Sequence, residues 1–84
     1  MYKVVFSKSA RKDLCRVDST CLSAIDSNIR KLAQEPRPHG YRKLLGAENT
    51  YRVRVGVYRI IYTIKDEILT VEVIKIGHRC NVYK

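Results

Sequence analysis

Apolar and polar positions alternate with period two along residues 51–62, Tyr-Arg-Val-Arg-Val-Gly-Val-Tyr-Arg-Ile-Ile-Tyr, on both sides of Gly56-Val57. A two-residue connection with Gly first suits a type II′ turn, so the stretch predicts a β-hairpin. With Gly56-Val57 as the loop, Val55 faces Tyr58, Arg54 faces Arg59, Val53 faces Ile60, Arg52 faces Ile61 and Tyr51 faces Tyr62. One side then carries Tyr51, Val53, Val55, Tyr58, Ile60 and Tyr62, and the other carries Arg52, Arg54 and Arg59. Like charges directly opposite each other destabilise a strand pair by roughly 0.2–1 kcal/mol. A hairpin that sets Arg54 against Arg59 therefore points to a polyanion as the thing this face meets.

The rest of the chain supplies what the hairpin packs on. Tyr2, Val4 and Phe6 alternate with Lys3 and Val5 as a short strand. Ser7 or Ser9 caps a helix running to about Arg16, with Ala10, Leu14 and Val17 on its inner side. Asp18-Ser19-Thr20 caps a second helix, where Leu22, Ile25, Ile29, Leu32 and Ala33 form one stripe and Pro36 ends the run. Arg11, Lys12, Arg30 and Lys31 fall on the outer positions of this helical hairpin, as an ordinary solvated face does. Residues 36–43, with two prolines and a glycine, form a linker from helices to sheet, in which His39 is a loop histidine.

Residues 68–76 are β-branched enough to predict a last strand. A four-residue loop over 65–68 pairs Ile64 with Leu69, Tyr62 with Val71 and Ile60 with Val73, all on the apolar side, whereas an odd loop sets them against the arginines. The even loop also puts Glu72 on the arginine face, as charge balance for a guanidinium or as a general base. Lys75 then falls on the inner face, where it has to snorkel. The expected fold is α+β in the order βααβββ, a two-helix hairpin packed on one face of a small, mainly antiparallel sheet whose other face is basic.

Charge sharpens this picture. The 84 residues form a single domain, 1–84, in which 17 Lys and Arg outweigh 8 Asp and Glu for a formal charge of +9, spread along the chain rather than gathered in a tail. Nucleic acid is the first partner such a surface suggests, and an acidic protein the second. No basic amphipathic helix points to a membrane, and no secretory or membrane-spanning run is found, so a soluble cytoplasmic protein is expected. Cys15, Cys21 and Cys80 form no CxxC pair and suggest neither a disulfide framework nor a zinc site.

The phrase at residues 51–62, followed by a β-branched strand, then Ile76-Gly-His-Arg79 and Val82-Tyr83, resembles the RelE/ParE toxin superfamily and is closest to its RelE branch. That resemblance implies a type II toxin that enters the ribosomal A site and cleaves mRNA there, inhibiting translation. It implies as partners the ribosome, its mRNA and a cognate acidic, RelB-like antitoxin, with the toxin monomeric when free. By position it implies Arg52 and Arg54 as RNA-binding residues and Arg59, Arg79 and Tyr83 as catalytic ones.

Cleavage by a 2′-OH on its adjacent phosphate needs a base, an acid and cations around the phosphorane, but no metal or other cofactor. Arginine cannot serve as the base, so the proton falls to Tyr83, which the family favours, or His78, which its ordinary pKa near 6.5 favours. The other branch of the superfamily, which poisons DNA gyrase without catalysis, is the alternative; its docking surface would not call for Arg79 and Tyr83.

Overall fold

The computed structural model describes residues 1–44 and 46–78. Strand β1 (Lys3–Phe6) leads into helices α1 (Lys8–Arg16) and α2 (Ser19–Gln34). Strands β2 (Arg42–Lys43), β3 (Thr50–Val55), β4 (Tyr58–Lys65) and β5 (Thr70–His78) follow. The sheet order is β1-β5-β4-β3-β2, with β1 parallel to β5 and every other pair antiparallel.

Side chains that can satisfy a free backbone group start both helices. Ser7 accepts from the Ala10 N–H at the start of α1, and Asp18 accepts from the Thr20 N–H at the start of α2. The latter bond holds the Asp18 carboxyl below its ordinary pKa. The inner faces of α1 and α2 contribute Ala10, Ile25, Ile29 and Leu32, and the turn between them Val17, to one core with Val53, Ile60, Tyr62, Ile64, Val71, Val73 and Ile76 of the sheet. Leu22, expected on the buried stripe, is 39% exposed, while its neighbour Cys21 in the same first turn packs against the core.

The β3–β4 hairpin has the register its alternation predicts, from Val55 opposite Tyr58 to Tyr51 opposite Tyr62. Gly56 takes φ +62° while Val57 stays out of the left-handed region, as a type II′ turn requires.

The β4–β5 register departs from expectation by two residues, the four-residue turn having moved one position along the chain. Ile64 pairs with Val71 and Tyr62 with Val73, instead of with Leu69 and Val71. The turn sits at 66–69, where a 3₁₀ turn, Asp66–Ile68, ends on Leu69 in the left-handed region (φ 47°). A shift of two residues conserves the side-chain parity, so Val71 and Val73 still face the core. Leu69 is the residue displaced from it, at 51% exposed.

A second departure follows within β5. Between Tyr62, opposite Val73, and Ile61, opposite Lys75, the register shifts and leaves Ile74 without a partner, a β-bulge. Alternation restarts beyond it, so Ile76, opposite Ile60, takes the core position expected of Lys75. Lys75 instead lies half-exposed with its Nζ 3.9 Å from the Asp13 carboxylate. Both backbone groups next to the bulge are held by α1 and its cap: the Ser7 hydroxyl donates to the Ile74 carbonyl (3.0 Å), and the Ile76 N–H donates to Asp13 Oδ2 (3.0 Å).

Candidate nucleic-acid interface and active site

The face of the sheet turned away from the helices carries the arginines. Arg54 lies opposite Arg59 across β3 and β4, and Arg52 lies opposite Ile61 on one side and Arg42 of β2 on the other. Four guanidinium-bearing residues, Arg42, Arg52, Arg54 and Arg59, line with Gly40 a hollow of about 210 Å³. Arg54 is exposed and its Nε donates to the Gly56 carbonyl (3.2 Å), which turns the side chain along the hairpin end. Arg52 and Arg59 are half-buried.

Arg42 is the member that the residue pattern missed. Strand β2 is two residues long, too short for any alternation to register, and it follows a linker dense in proline. Its placement rests on that linker, which a network of side chains ties down. The Tyr62 hydroxyl, buried, donates to the Pro36 carbonyl (2.8 Å), and burial raises its pKa well above the ordinary phenol value. Arg37 stacks over Tyr51, 5.9 Å from the ring centroid, and its Nη2 pairs with Asp66 Oδ2 at 2.9 Å. Tyr2 donates to the other oxygen of Asp66 at 2.6 Å. Hydrogen bonds from Arg37 and then Tyr2 hold the Asp66 carboxyl below its ordinary pKa. Tyr41 packs on Tyr51 and Tyr51 on Tyr62, with centroids 5.6 and 6.1 Å apart. The charge of Arg37 is thus matched by Asp66, and the chain beyond it is delivered to the hollow as Gly40 and Arg42.

The other expected site residues distribute unevenly. Arg59 stands opposite Gly77, which itself presents no side chain to it. Glu72 stands opposite Thr63, four positions along β4 from Arg59; it shares the arginine face but is no neighbour of that guanidinium. His78 pairs with Tyr58, whose hydroxyl accepts from the Asp18 N–H on the helix side (3.2 Å), and the two rings meet edge-on at 6.0 Å. Directly paired side chains point to the same face. His78 is therefore on the opposite face from the arginine hollow. His39 is exposed in the linker, and Cys15 and Cys21 are free thiols. Arg79, Tyr83 and Cys80 lie outside the described residues.

Such a hollow can hold a phosphate between planar, permanently charged donors and stabilise added negative charge on it. Its described lining, Gly40 and four arginines, includes no side chain able to take up a proton.

Residues 4–83 match the family model of the ParE toxin of type II toxin–antitoxin systems, parDE. Toxin RelG of Mycobacterium tuberculosis is 32% identical over 84 residues, 99% of this chain and 97% of that protein. Among solved structures, the toxin–antitoxin complex RelBE2 of M. tuberculosis aligns with a TM-score of 0.80 at 33% identity, covering 93% of this chain and 98% of that one. The isolated RelE toxin of E. coli aligns at 0.81 and 26% identity, covering 93% and 84%.

Proposed function

The chain belongs to the ParE toxin family of type II toxin–antitoxin systems, as a RelE-like member, and on that premise we propose that it is an endoribonuclease that cleaves mRNA in the ribosomal A site. The observation that carries this reading is the gathering of Arg42, Arg52, Arg54 and Arg59 around one hollow, at a cost in like-charge repulsion that binding a phosphate chain would offset. Arg52 and Arg54 bind the RNA backbone. In the reaction the ribose 2′-OH gives up its proton and bonds to phosphorus, the bond from phosphorus to the 5′ oxygen breaks, and that oxygen is protonated as it leaves. Arg59 and Arg79 stabilise the phosphorane, whose extra charge exists only in the transition state. Guanidiniums can meet that need without a metal ion.

For the proton, the position of His78 beside Tyr58, away from the hollow, speaks for Tyr83. Cationic neighbours would lower the Tyr83 phenol from its usual value near 10. An acidic RelB-like antitoxin silences the toxin, in keeping with the RelB complexes formed by its structural neighbours and with a charge of +9. Acting on ribosomes, the protein works in the cytoplasm.

Single-turnover cleavage on programmed ribosomes tests the assignment. Tyr83→Phe keeps the ring and removes only the hydroxyl, and is expected to slow cleavage while leaving ribosome binding nearly intact; His78→Gln is expected to cleave close to the parent rate. The reverse pattern transfers the proton role to His78. If the parent leaves ribosome-bound mRNA whole yet arrests growth, the nuclease reading fails and gyrase poisoning replaces it.

A further inference from the structure

A second polar cleft, of about 260 Å³, opens on the helix side of the same end of the sheet, lined by Asp13, Arg16, Tyr58, Lys75, Ile76 and His78. It and the arginine hollow are back to back. Tyr58 and Arg59 are consecutive in β4, His78 and Gly77 consecutive in β5, and each pair sends its members to opposite faces. The bulge at Ile74 produces this arrangement, because an unbroken alternation from Val71 and Val73 would turn Gly77 inward and His78 towards the arginines.

The charges of the cleft favour an anion. Its one carboxylate, Asp13, is turned inward: it is 13% exposed, accepts the Ile76 N–H at 3.0 Å and has Lys75 Nζ at 3.9 Å. Arg16, in the last turn of α1, is exposed and belongs to none of the ion pairs among the described residues. The Tyr58 hydroxyl accepts from the Asp18 N–H, which leaves its own proton to donate outward. Two fixed cations, a hydroxyl donor and an imidazole thus surround a space that holds one inward-facing carboxylate. Such a set of donors suits a tetrahedral oxyanion.

We infer that this cleft is a second phosphate subsite, taking one backbone phosphate of an RNA strand that rounds the sheet end from the arginine hollow. The inference rests on the nuclease reading for the identity of its ligand and on the cleft itself for its chemistry. Arg16 and Lys75 supply the charge, Tyr58 the oriented hydrogen bond, and His78 a ring N–H donor. Among the described residues, the polar groups that share the cleft with that imidazole are Tyr58 from β4, Asp13 and Arg16 from α1, and Lys75 from its own strand.

The test uses the full chain and two probes. Inorganic phosphate, titrated against chloride at equal ionic strength, is expected to shift the NMR signals of Tyr58 and His78 saturably, and Arg16→Gln to abolish the effect. The second probe is a single-stranded RNA made uncleavable by 2′-O-methylation. The slope of log K against log salt is expected to flatten by about 0.7 on Arg16→Gln, as for loss of one phosphate contact. Lys75→Gln is the second variant and is expected to act in the same direction. Absence of saturable shifts overturns the subsite. If Arg52→Ala flattens the slope and neither cleft variant does, the RNA reading stands and the subsite falls, even where free phosphate binds. If none of the three changes the slope, the RNA reading fails and this inference with it. Loss of affinity in Arg16→Gln for an acidic antitoxin alone, with the RNA slope unchanged, overturns it in favour of a protein contact.

Discussion

The two faces of the β3–β4 hairpin are built from the same twelve-residue phrase under opposite rules. On the inner face Ile60 and Tyr62 are fully buried, and the one hydroxyl among them is answered by a backbone carbonyl. Each large aliphatic side chain buried there contributes about 1.5–3 kcal/mol. On the outer face Arg54 opposes Arg59, Arg42 opposes Arg52, and juxtaposed like charges subtract from stability. The first face carries the core, and the second sets like charges side by side around one buried aliphatic, Ile61. The difference marks the outer face as shaped by something that the free protein lacks.

That contrast can be broken most strongly from the inside. Ile60→Ala deletes a fully buried side chain at the centre of the sheet and is expected to lower unfolding free energy by about 2–5 kcal/mol, measured by urea denaturation, while the folded fraction still cleaves mRNA. From the outside the expectation reverses. Arg59→Ala should reduce single-turnover cleavage by on the order of 10²–10³, as for loss of one oxyanion donor, with little change in ribosome affinity. A variant that loses affinity as steeply as rate would make Arg59 a binding residue. Arg54→Ala sharpens the comparison by removing one member of an opposed pair: denaturation should show a gain of roughly 0.2–1 kcal/mol, alongside weaker RNA binding. A loss of stability there would show that the arginine face supports the fold.

The smallest effect concerns the linker that brings Arg42 to the hollow. Because Arg37 and Tyr2 depress the Asp66 pKa in the folded state, their contribution is present above the ordinary carboxylate pKa near 3.9 and is lost as pH falls through the lower folded value. The stability gap between the parent and Asp66→Asn should therefore narrow on acidification from pH 7 to below 4. An unchanged gap would remove Asp66 from the linker's anchorage.

How much of this can be seen in the sequence depends on the range over which each signal acts. The hairpin register is legible because Gly56-Val57 fixes it within two residues, and both helix caps are legible because Ser7 and Asp18 act within three. The three arginines of the hairpin follow from the same parity. The bulge is not legible: period-two alternation looks the same up to the point of interruption, and the groups that hold it, Ser7 and Asp13, lie more than sixty residues away in the chain. Hence any reading that extends the alternation of β5 gives Lys75 the core position that belongs to Ile76 and turns His78 to the wrong face. Arg42 escapes for the opposite reason, since a strand of two residues has no pattern to read.

The parallel pairing of β1 with β5, Lys3 beside Thr70 and Phe6 beside Val73, also sets a timetable. During synthesis β1 leaves the ribosome long before β5, its neighbour in the sheet, exists, and the helices have no finished surface to lie on until β5 arrives. Contacts of such long range close late because the intervening loop must be ordered first. Arg59 meets Gly77, and Tyr58 meets His78, only in that final step. The hairpin that carries Arg52, Arg54 and Arg59 is local and can form without β5, whereas the helix-side cleft is complete only once β5 has docked.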